Sequence, residues 1–304
     1  MNGNLGRDRL WNEHIWSEID KAIREEAGRI RVAQKVFPST IVNNVLPVSI
    51  TRAVPFGPGS VPPVPPEPGV DEFRPFFEIS SEFVLTQAQV DGEENLHLAP
   101  SRARLASSAV AHAEDTILFL GQDSIPALIA PVGVNVTNKP AIPPGFVAET
   151  GNYTPFTSVH GAGPGDLGNI LAALSVGMAA LNARAQPGPY ALFVSPDRYA
   201  QTFGPPKGEL SAPGDQINHV VTGGFYMVNS LAVGHLEKLP DPPANPDIGI
   251  LVSLGGEPAK IIIGTEAMTA FTHTDAQGNY HFRVFERIQM VVQDGRAFQR
   301  LTFP

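Results

Sequence analysis

The chain has 304 residues, among them 30 prolines and 29 glycines, and its formal net charge is −9. Because proline and glycine break helices, this composition excludes a pure helical bundle, while 42% hydrophobic residues argue against disorder. The acidic balance argues against a nucleic-acid-binding protein, and the lack of cysteine excludes disulfides and thiolate metal sites.

The first third of the chain predicts one long helix and then an extended arm. Apolar residues recur every three or four positions over 10–36, and Pro38 ends this pattern. The apolar face carries the only two tryptophans, Trp11 and Trp16, so the helix either packs on its own domain or docks onto another surface. Seven prolines within 55–68 exclude a helix or a central strand there. This stretch is therefore predicted to be a linker or an arm that reaches outside its own domain.

The remainder of the chain predicts two more helices and then a run of strands. A strand is predicted over 73–85, a helix over 101–120 with Ser101 as its N-cap, and a helix over 166–184 that begins at Asp166. Further strands are predicted over 190–194, 225–228, 231–233, 248–254, 260–264, 268–273, 281–292 and 297–303. This order of elements indicates the α+β class with a large antiparallel component.

Motifs for catalysis, cofactor binding or metal binding are missing. Residues 163–168 fit the GxGxxG pattern, but Asp166 stands where a pyrophosphate must bind, so no dinucleotide site is predicted. No two of the eight histidines lie four apart on one predicted helix, and neither a GxSxG nor a Walker motif occurs. We therefore predict no catalytic residue, no cofactor and no metal, which favours a structural or assembly protein. The N-terminus has no apolar signal region, and the most apolar stretch, 125–134, is too short to span a bilayer, so we expect a soluble, cytoplasmic protein.

Five segments, in order, resemble the motifs of one family. They are FEISSEFVLTQAQVD at 77–91, AEDTILFLG at 113–121, GPYALFVSPDRY at 188–199, VSLGGEPAKIIIGTEAMTAF at 252–271, and the closing strands at 282–285 and 298–303. Together they are similar to the motifs of encapsulins, the bacteriocin or linocin-like shell proteins of bacterial nanocompartments. The resemblance spans most of residues 8–304. It implies the fold of the Hong Kong 97 phage major capsid protein.

The resemblance also implies a division of the chain into the parts of that fold. The implied parts are an N-terminal lumen-facing helix at 1–37, an E-loop at 38–75, the first part of the P-domain at 76–135, an A-domain with pore loops at 136–247, and the rest of the P-domain with the closing strands at 248–304. The proline-rich stretch then falls in the E-loop, an arm laid over the adjacent subunit.

The function implied by the resemblance is structural. A shell subunit of this kind is not an enzyme; it self-assembles into an icosahedral compartment that encloses a cargo enzyme held by its C-terminal targeting peptide. Ferritin-like, hemerythrin-like and dye-decolourising peroxidase proteins are the implied kinds of cargo. Candidate residues for the peptide groove, each of which is explained as well by core packing, are Trp11, Ile15, Trp16, Ile19, Met268 and Phe271. Candidate residues for a five-fold pore loop that admits small substrates or ions are Lys207, Glu209 and Asp215.

Two other function classes stay open at this point. A phage or prophage capsid protein of the same fold packages DNA, and its lumenal surface is expected to be basic. Residues 1–37 instead hold seven Lys/Arg and six Asp/Glu, which is close to balance. The other class is a soluble α+β enzyme whose site the sequence does not reveal. We predict that the chain binds neither a nucleic acid nor a membrane. We predict that it assembles with copies of itself into a large closed homo-oligomer.

Overall fold

The computed structural model describes residues 5–7, 10–42, 48–50, 72–150, 156–157, 168–204 and 212–303. Its helices are α1 (Glu13–Ile30), α2 (Ala33–Val36), α3 (Gln87–Asp91), α4 (Glu93–Leu96), α5 (Leu98–Leu120), α6 (Phe146–Thr150), α7 (Gly168–Ala183), α8 (Pro196–Gln201), α9 (Pro213–Val220) and α10 (Val233–Leu236). Its strands are β1 (Ser39–Ile41), β2 (Val48–Ile50), β3 (Glu72–Arg74), β4 (Phe77–Leu85), β5 (Val134–Thr137), β6 (Phe156–Thr157), β7 (Tyr190–Val194), β8 (Gly224–Met227), β9 (Ile248–Ser253), β10 (Ala259–Thr274), β11 (Tyr280–Val292) and β12 (Phe298–Thr302). The proline-rich stretch 55–68 lies outside the described residues.

The first sheet has the strand order β1-β10-β11-β4-β5 and is antiparallel except for the β1–β10 pair. Its two long strands, β10 and β11, form a hairpin that turns at Gly278, whose φ of 81° suits glycine. Helices α1 and α5 pack on this sheet and on each other. This half of the molecule therefore carries the N-terminal helix on a broad sheet.

The second sheet has the order β6-β12-β9-β7-β8. Its interior strand β7, between β9 and β8, is buried along its whole length, as its continuous apolar sequence predicts. Helix α7 packs closely on it because Gly177 brings the helix backbone near the side chains of Leu251 and Leu301, where a Cβ would lie 2.7 Å from Leu301 Cδ2. A two-stranded sheet of β2 and β3 completes the strand pairings of the described residues.

Helix α5 joins the two sheets through a shared apolar core. The ring of Phe119, near the C-terminal end of α5, packs edge-on against Phe146 and Phe193, with centroids 5.3 and 5.1 Å apart. The helix ends at Gly121, which has a φ of 75° and lies so close to the 144–145 backbone that a Cβ would collide with the Pro144 carbonyl. One continuous hydrophobic cluster thus extends from the first sheet to the second.

The structure corrects several element boundaries. The predicted helix 10–36 is interrupted at Arg31, which leaves the helical conformation between α1 and α2. The helix predicted to begin after Ser101 begins at Leu98, because the Glu93 carboxylate accepts the Ala99 N–H at 2.9 and 3.0 Å. The strands predicted at 260–264 and 268–273 are one strand, β10, and the strand predicted at 231–233 is wrong, since Asn229–Leu231 is a 3₁₀ turn followed by α10. Asp166 lies outside the described residues.

Candidate functional site

The two tryptophans anchor the N-terminal helix in an aromatic cluster on the first sheet. The Trp11 ring stacks on Phe282 of β11 at a centroid distance of 5.1 Å and lies 5.0 Å from the Trp16 ring. Phe83 of β4 also stacks on Phe282 at 5.0 Å, and Phe271 of β10 meets Phe282 edge-on at 5.8 Å. The cluster therefore ties α1 to three neighbouring strands, β4, β11 and β10.

Five of the six predicted groove residues belong to one hydrophobic cluster at this face; they are Trp11, Ile15, Trp16, Ile19 and Phe271. Met268 does not, because it pairs with Phe285 whereas Phe271 pairs with Phe282, and this register puts the Met268 side chain on the opposite face of β10. Trp16 and Ile19 are 1% and 0% exposed, and Ile15 is buried as well. The other three, Trp11, Met268 and Phe271, are half-buried. The indole N–H of Trp11 donates to the Val90 carbonyl at 3.1 Å. Of the five residues on this face, only Trp11 and Phe271 are half-buried and present surface to a ligand.

Two charged residues of this face were not singled out in the sequence. Asp20, predicted on the solvated side of the helix, is turned inward and is 7% exposed. It pairs with Arg7 at 2.8 Å, and the Arg7 guanidinium lies 5.1 Å from the centroid of the Trp16 ring. The only sequence signal for this pair is that Asp20 directly follows the buried Ile19 and has Arg7 thirteen residues before it. This signal is weak.

A buried ionic cluster holds the junction between α1 and α2. Arg31 forms ion pairs with Glu114 of α5 and Glu286 of β11, whose side chains are 0% and 1% exposed. The neighbouring Asp115 carboxylate accepts the backbone N–H of Val32 at 2.8 Å and that of Ala33 at 3.1 Å. Glu114 and Asp115, the acidic pair of the AED segment, thus bind the chain at the end of α1 and at the start of α2.

The cluster contains the carboxyl groups of Glu114, Asp115 and Glu286 but only one guanidinium, that of Arg31. It therefore retains protons at pH values at which exposed carboxyl groups have lost theirs. Burial, followed by the charge of Glu114, raises the pKa of Asp115 from 3.8 to about 7. Burial also raises the pKa of Glu286 well above its ordinary value, against the attraction of Arg31. Gln34 contributes a neutral donor, since its Nε2 lies 2.7 Å from Glu114 Oε1. The junction is therefore best satisfied when at least one carboxyl is protonated.

Stability at this junction is expected to fall as the pH rises. Because the folded-state pKa of Asp115 is raised, its contribution is complete below about pH 4 and is lost as the pH passes 7. Between pH 5 and 8 the loss is about 2–3 kcal/mol of the free energy of unfolding. Urea unfolding of the wild type and of Asp115→Asn at several pH values checks this, with the exposed Asp123→Asn as control. A difference between wild type and Asp115→Asn that stays constant over this range contradicts the assignment.

The three predicted pore residues are only partly described. Lys207 and Glu209 lie outside the described residues. Asp215 is exposed in the first turn of α9, and its backbone N–H donates to the Ala212 carbonyl at 3.1 Å. As pore residues, all three remain predictions.

The described residues include no group of three or more His, Asp or Glu side chains arranged to hold a metal ion. None of the helices in this part of the chain has the length and apolarity needed to cross a bilayer.

Sequence comparison assigns the central and C-terminal part of the chain to a known family model. Residues 144–289 match the family described as encapsulating protein for peroxidase. The predicted resemblance to encapsulins is confirmed. The match begins before α6, includes β7 to β10 and ends within β11. A comparison with curated proteins gave no match.

Solved structures confirm the predicted capsid fold. The virus-like particle of Pyrococcus furiosus is similar with a TM-score of 0.61 and 13% identity, over 95% of this chain and 100% of that chain. The capsid of an empty GTA particle has a TM-score of 0.55 and 15% identity, over 89% and 88% of the two chains. The SrpI encapsulin of Synechococcus elongatus PCC 7942 has a TM-score of 0.51 and 10% identity, over 89% and 86%. The fold is that of the Hong Kong 97 capsid proteins, in the α+β class.

These comparisons agree on the class of protein. The matched family and the shared fold are those of structural shell and capsid proteins, not of enzymes. They support an encapsulating shell protein with a capsid-like fold.

Proposed function

We propose that this chain is the shell subunit of an icosahedral nanocompartment in the cytoplasm that encloses a cargo enzyme. The observation that carries the proposal is the family-model match over 144–289, which falls within a chain that resembles a virus-like particle over 95% of its length. Each subunit forms repeated contacts with copies of itself, as closed homo-oligomers require. The shell subunit performs no catalysis of its own.

A DNA-packaging capsid is the second candidate, because the same fold serves phages and gene-transfer particles. Two observations favour the enzyme compartment over it. The family model is that of encapsulating proteins, and the chain lacks the basic excess that neutralises packaged phosphates, with a net charge of −9. On helix α1 the exposed arginines and lysines alternate with glutamates, and two such pairs are Lys21–Glu25 and Arg29–Glu26.

The cargo is proposed to dock on the face that carries the aromatic cluster. Its C-terminal targeting peptide contacts Trp11 and Phe271, which are half-buried next to the buried Ile15, Trp16 and Ile19. An apolar peptide side chain placed against these rings gains the burial energy that directs such binding. A ferritin-like, hemerythrin-like or dye-decolourising peroxidase protein is the proposed kind of cargo.

Exchange between lumen and outside is proposed to pass through pores. The loop that follows α8 carries Lys207 and Glu209, and α9 carries the exposed Asp215. Charges of both signs in such a loop select small ions and polar substrates by electrostatics.

The self-assembly proposal has a direct test. The full chain, purified from a host that expresses no other shell component, is expected to form closed particles of uniform diameter in negative-stain images. After nuclease treatment, the particles should show the ultraviolet spectrum of protein with no peak at 260 nm. Monomers or small oligomers at every salt concentration contradict the shell function, and nuclease-resistant nucleic acid inside the particles establishes the DNA-packaging alternative instead.

A further inference from the structure

The outer edge of strand β10 is bound by the chain's own N-terminal segment. Among the described strands, β1 covers this edge only over 261–263. Further along, the Thr269 carbonyl accepts from Arg7 Nε at 3.1 Å and Nη2 at 2.7 Å, and the Phe271 N–H donates to the Leu5 carbonyl at 3.0 Å. Residues 5–7, which we call the strap, therefore occupy backbone groups that an added strand or peptide needs.

A third backbone group of this edge, the N–H of Thr269, is bound by the N-terminal helix. The Thr269 N–H donates to Asp20 Oδ1 at 3.1 Å, and the same carboxylate pairs with Arg7. Thr269 and Phe271 are two residues apart, so their backbone groups point to the same side of the strand. The acid of Asp20 thus fixes both the strand edge and the cation of the strap.

The shape of the strap fits it closely to the strand. Gly6 has a φ of 70°, and a Cβ there would lie 2.8 Å from the Phe271 carbonyl oxygen. The Arg7 carbonyl accepts the indole N–H of Trp16 at 3.1 Å. The β10 edge therefore binds a glycine followed by an arginine. Gly6 allows the backbone to approach Phe271 closely, and Arg7 reaches the Asp20 carboxylate.

The strap contacts two of the proposed groove residues, Trp16 and Phe271. We propose that the strap is an autoinhibitory segment, which closes the β10 edge in cis and must be displaced before a cargo peptide pairs with that edge. This inference rests on the proposed docking of a cargo peptide at this face. The strap is short, and it is held by backbone hydrogen bonds and one arginine. Because a peptide with a cationic side chain can form the same bonds, it can take the place of the strap. Its attachment to the chain gives it a high effective concentration, which disfavours a free competitor.

The test uses the strap itself as the ligand. A fluorescent protein that ends in the chain's residues 1–9, MNGNLGRDR, is co-expressed with four shell proteins: wild type, a chain lacking residues 1–9, full-length Arg7→Ala, and Arg24→Ala. Arg24 is an exposed arginine of α1 and serves as the matched control. Fluorescence per purified particle reports loading, and a reporter without the tail gives the background. Full-length Arg7→Ala keeps the test valid if the truncated chain does not assemble.

The truncated and Arg7→Ala shells are expected to load about tenfold more tailed reporter than wild type and Arg24→Ala. Deuterium exchange at the Phe271 amide should accelerate in Arg7→Ala by a similar factor, because its acceptor leaves. Equal loading of all four shells, or unchanged exchange at Phe271, overturns the autoinhibition.

A second reporter separates this inference from the function on which it rests. It carries the C-terminal tail of an enzyme of one of the proposed cargo kinds, a ferritin-like, hemerythrin-like or dye-decolourising peroxidase protein. If this tail loads Arg7→Ala shells better than wild-type shells, the strap and the cargo compete as proposed. If it loads both equally, autoinhibition fails while cargo capture stands. If the strap tail loads Arg7→Ala shells and the enzyme tail loads neither, the strap is confirmed as an edge ligand and cargo docking at this face is overturned.

Discussion

Replacing Arg31 by leucine is expected to lower the free energy of unfolding by about 3–5 kcal/mol, because it leaves Glu114 and Glu286 buried without a counter-charge. For a chain of this length, that loss corresponds to a decrease of roughly 5–8 °C in the midpoint of thermal unfolding. The damage should be centred on the junction between α1 and α2, since Arg31 is the residue at which α1 ends.

The measurement is a thermal unfolding series at pH 7, with deuterium exchange to locate the change. Arg29→Leu is the matched control, because Arg29 lies on the same helix and pairs with Glu26 in solvent, so its midpoint should stay close to that of wild type. Part of the Arg31→Leu loss should be recovered at pH 5, because burial raises the pKa of Glu286 and favours its neutral form. If Arg31→Leu and Arg29→Leu shift the midpoint equally, the buried cluster does not hold the junction.

Replacing Trp16 by alanine is expected to cost about 3–5 kcal/mol as well, the usual range for removing a buried aromatic side chain. The Trp16 ring is 1% exposed and lies 6.2 Å from Phe282, and its N–H is bonded to the Arg7 carbonyl. Its removal therefore leaves a cavity between α1 and the first sheet and frees one acceptor of the strap.

Trp16→Phe gives a graded comparison for this site. It keeps an aromatic ring in the cluster and loses the indole N–H and part of the volume, so its cost should be clearly smaller than that of Trp16→Ala. Urea unfolding of the three proteins measures the series. Equal stability of Trp16→Ala and wild type would mean that α1 is not anchored through this ring.

The parts of the fold that the sequence predicted correctly are those decided by local periodicity. The helical spacing of Trp16, Ile19 and Ile23 placed these residues on one face, and all three are buried. Tyr190–Val194 and Tyr280–Val292 are strands as their apolar patterns predicted. In each case the apolar residues repeat with the period of the helix or strand because one face of that element is buried in the core.

The parts that the sequence did not predict depend on partners that are distant along the chain. No proline or glycine marks the end of α1 at Arg31; the break arises because Glu114 and Glu286, far along the chain, capture the guanidinium. Asp20 looks like a surface residue until Arg7 and the Thr269 backbone are placed beside it. Strand β10 read as two strands because irregular pairing near Thr265 interrupts its alternation.

Helix α8 is a different case, since its signal was present in the sequence. Ser195 followed by Pro196 is the usual start of a helix, and the Ser195 hydroxyl accepts the Arg198 N–H. From the sequence, residues 195–199 are interpreted only as the end of the motif at 188–199, and no helix is predicted there. The groove stays a prediction that rests on the resemblance. The unequal burial of its residues and the position of Met268 on the other face of β10 follow from three-dimensional packing.

The continuous core beneath helix α5 bears on how the subunit adapts to its neighbours. Among the described residues, the Phe119 contacts and the close backbone approach at Gly121 couple the two sheets through tight packing. A subunit built in this way tilts as a single block when the curvature of its surroundings changes. Differences in particle diameter should then be absorbed at the contacts between copies, and engineering of particle size is best directed at those contacts rather than at the interior of the subunit.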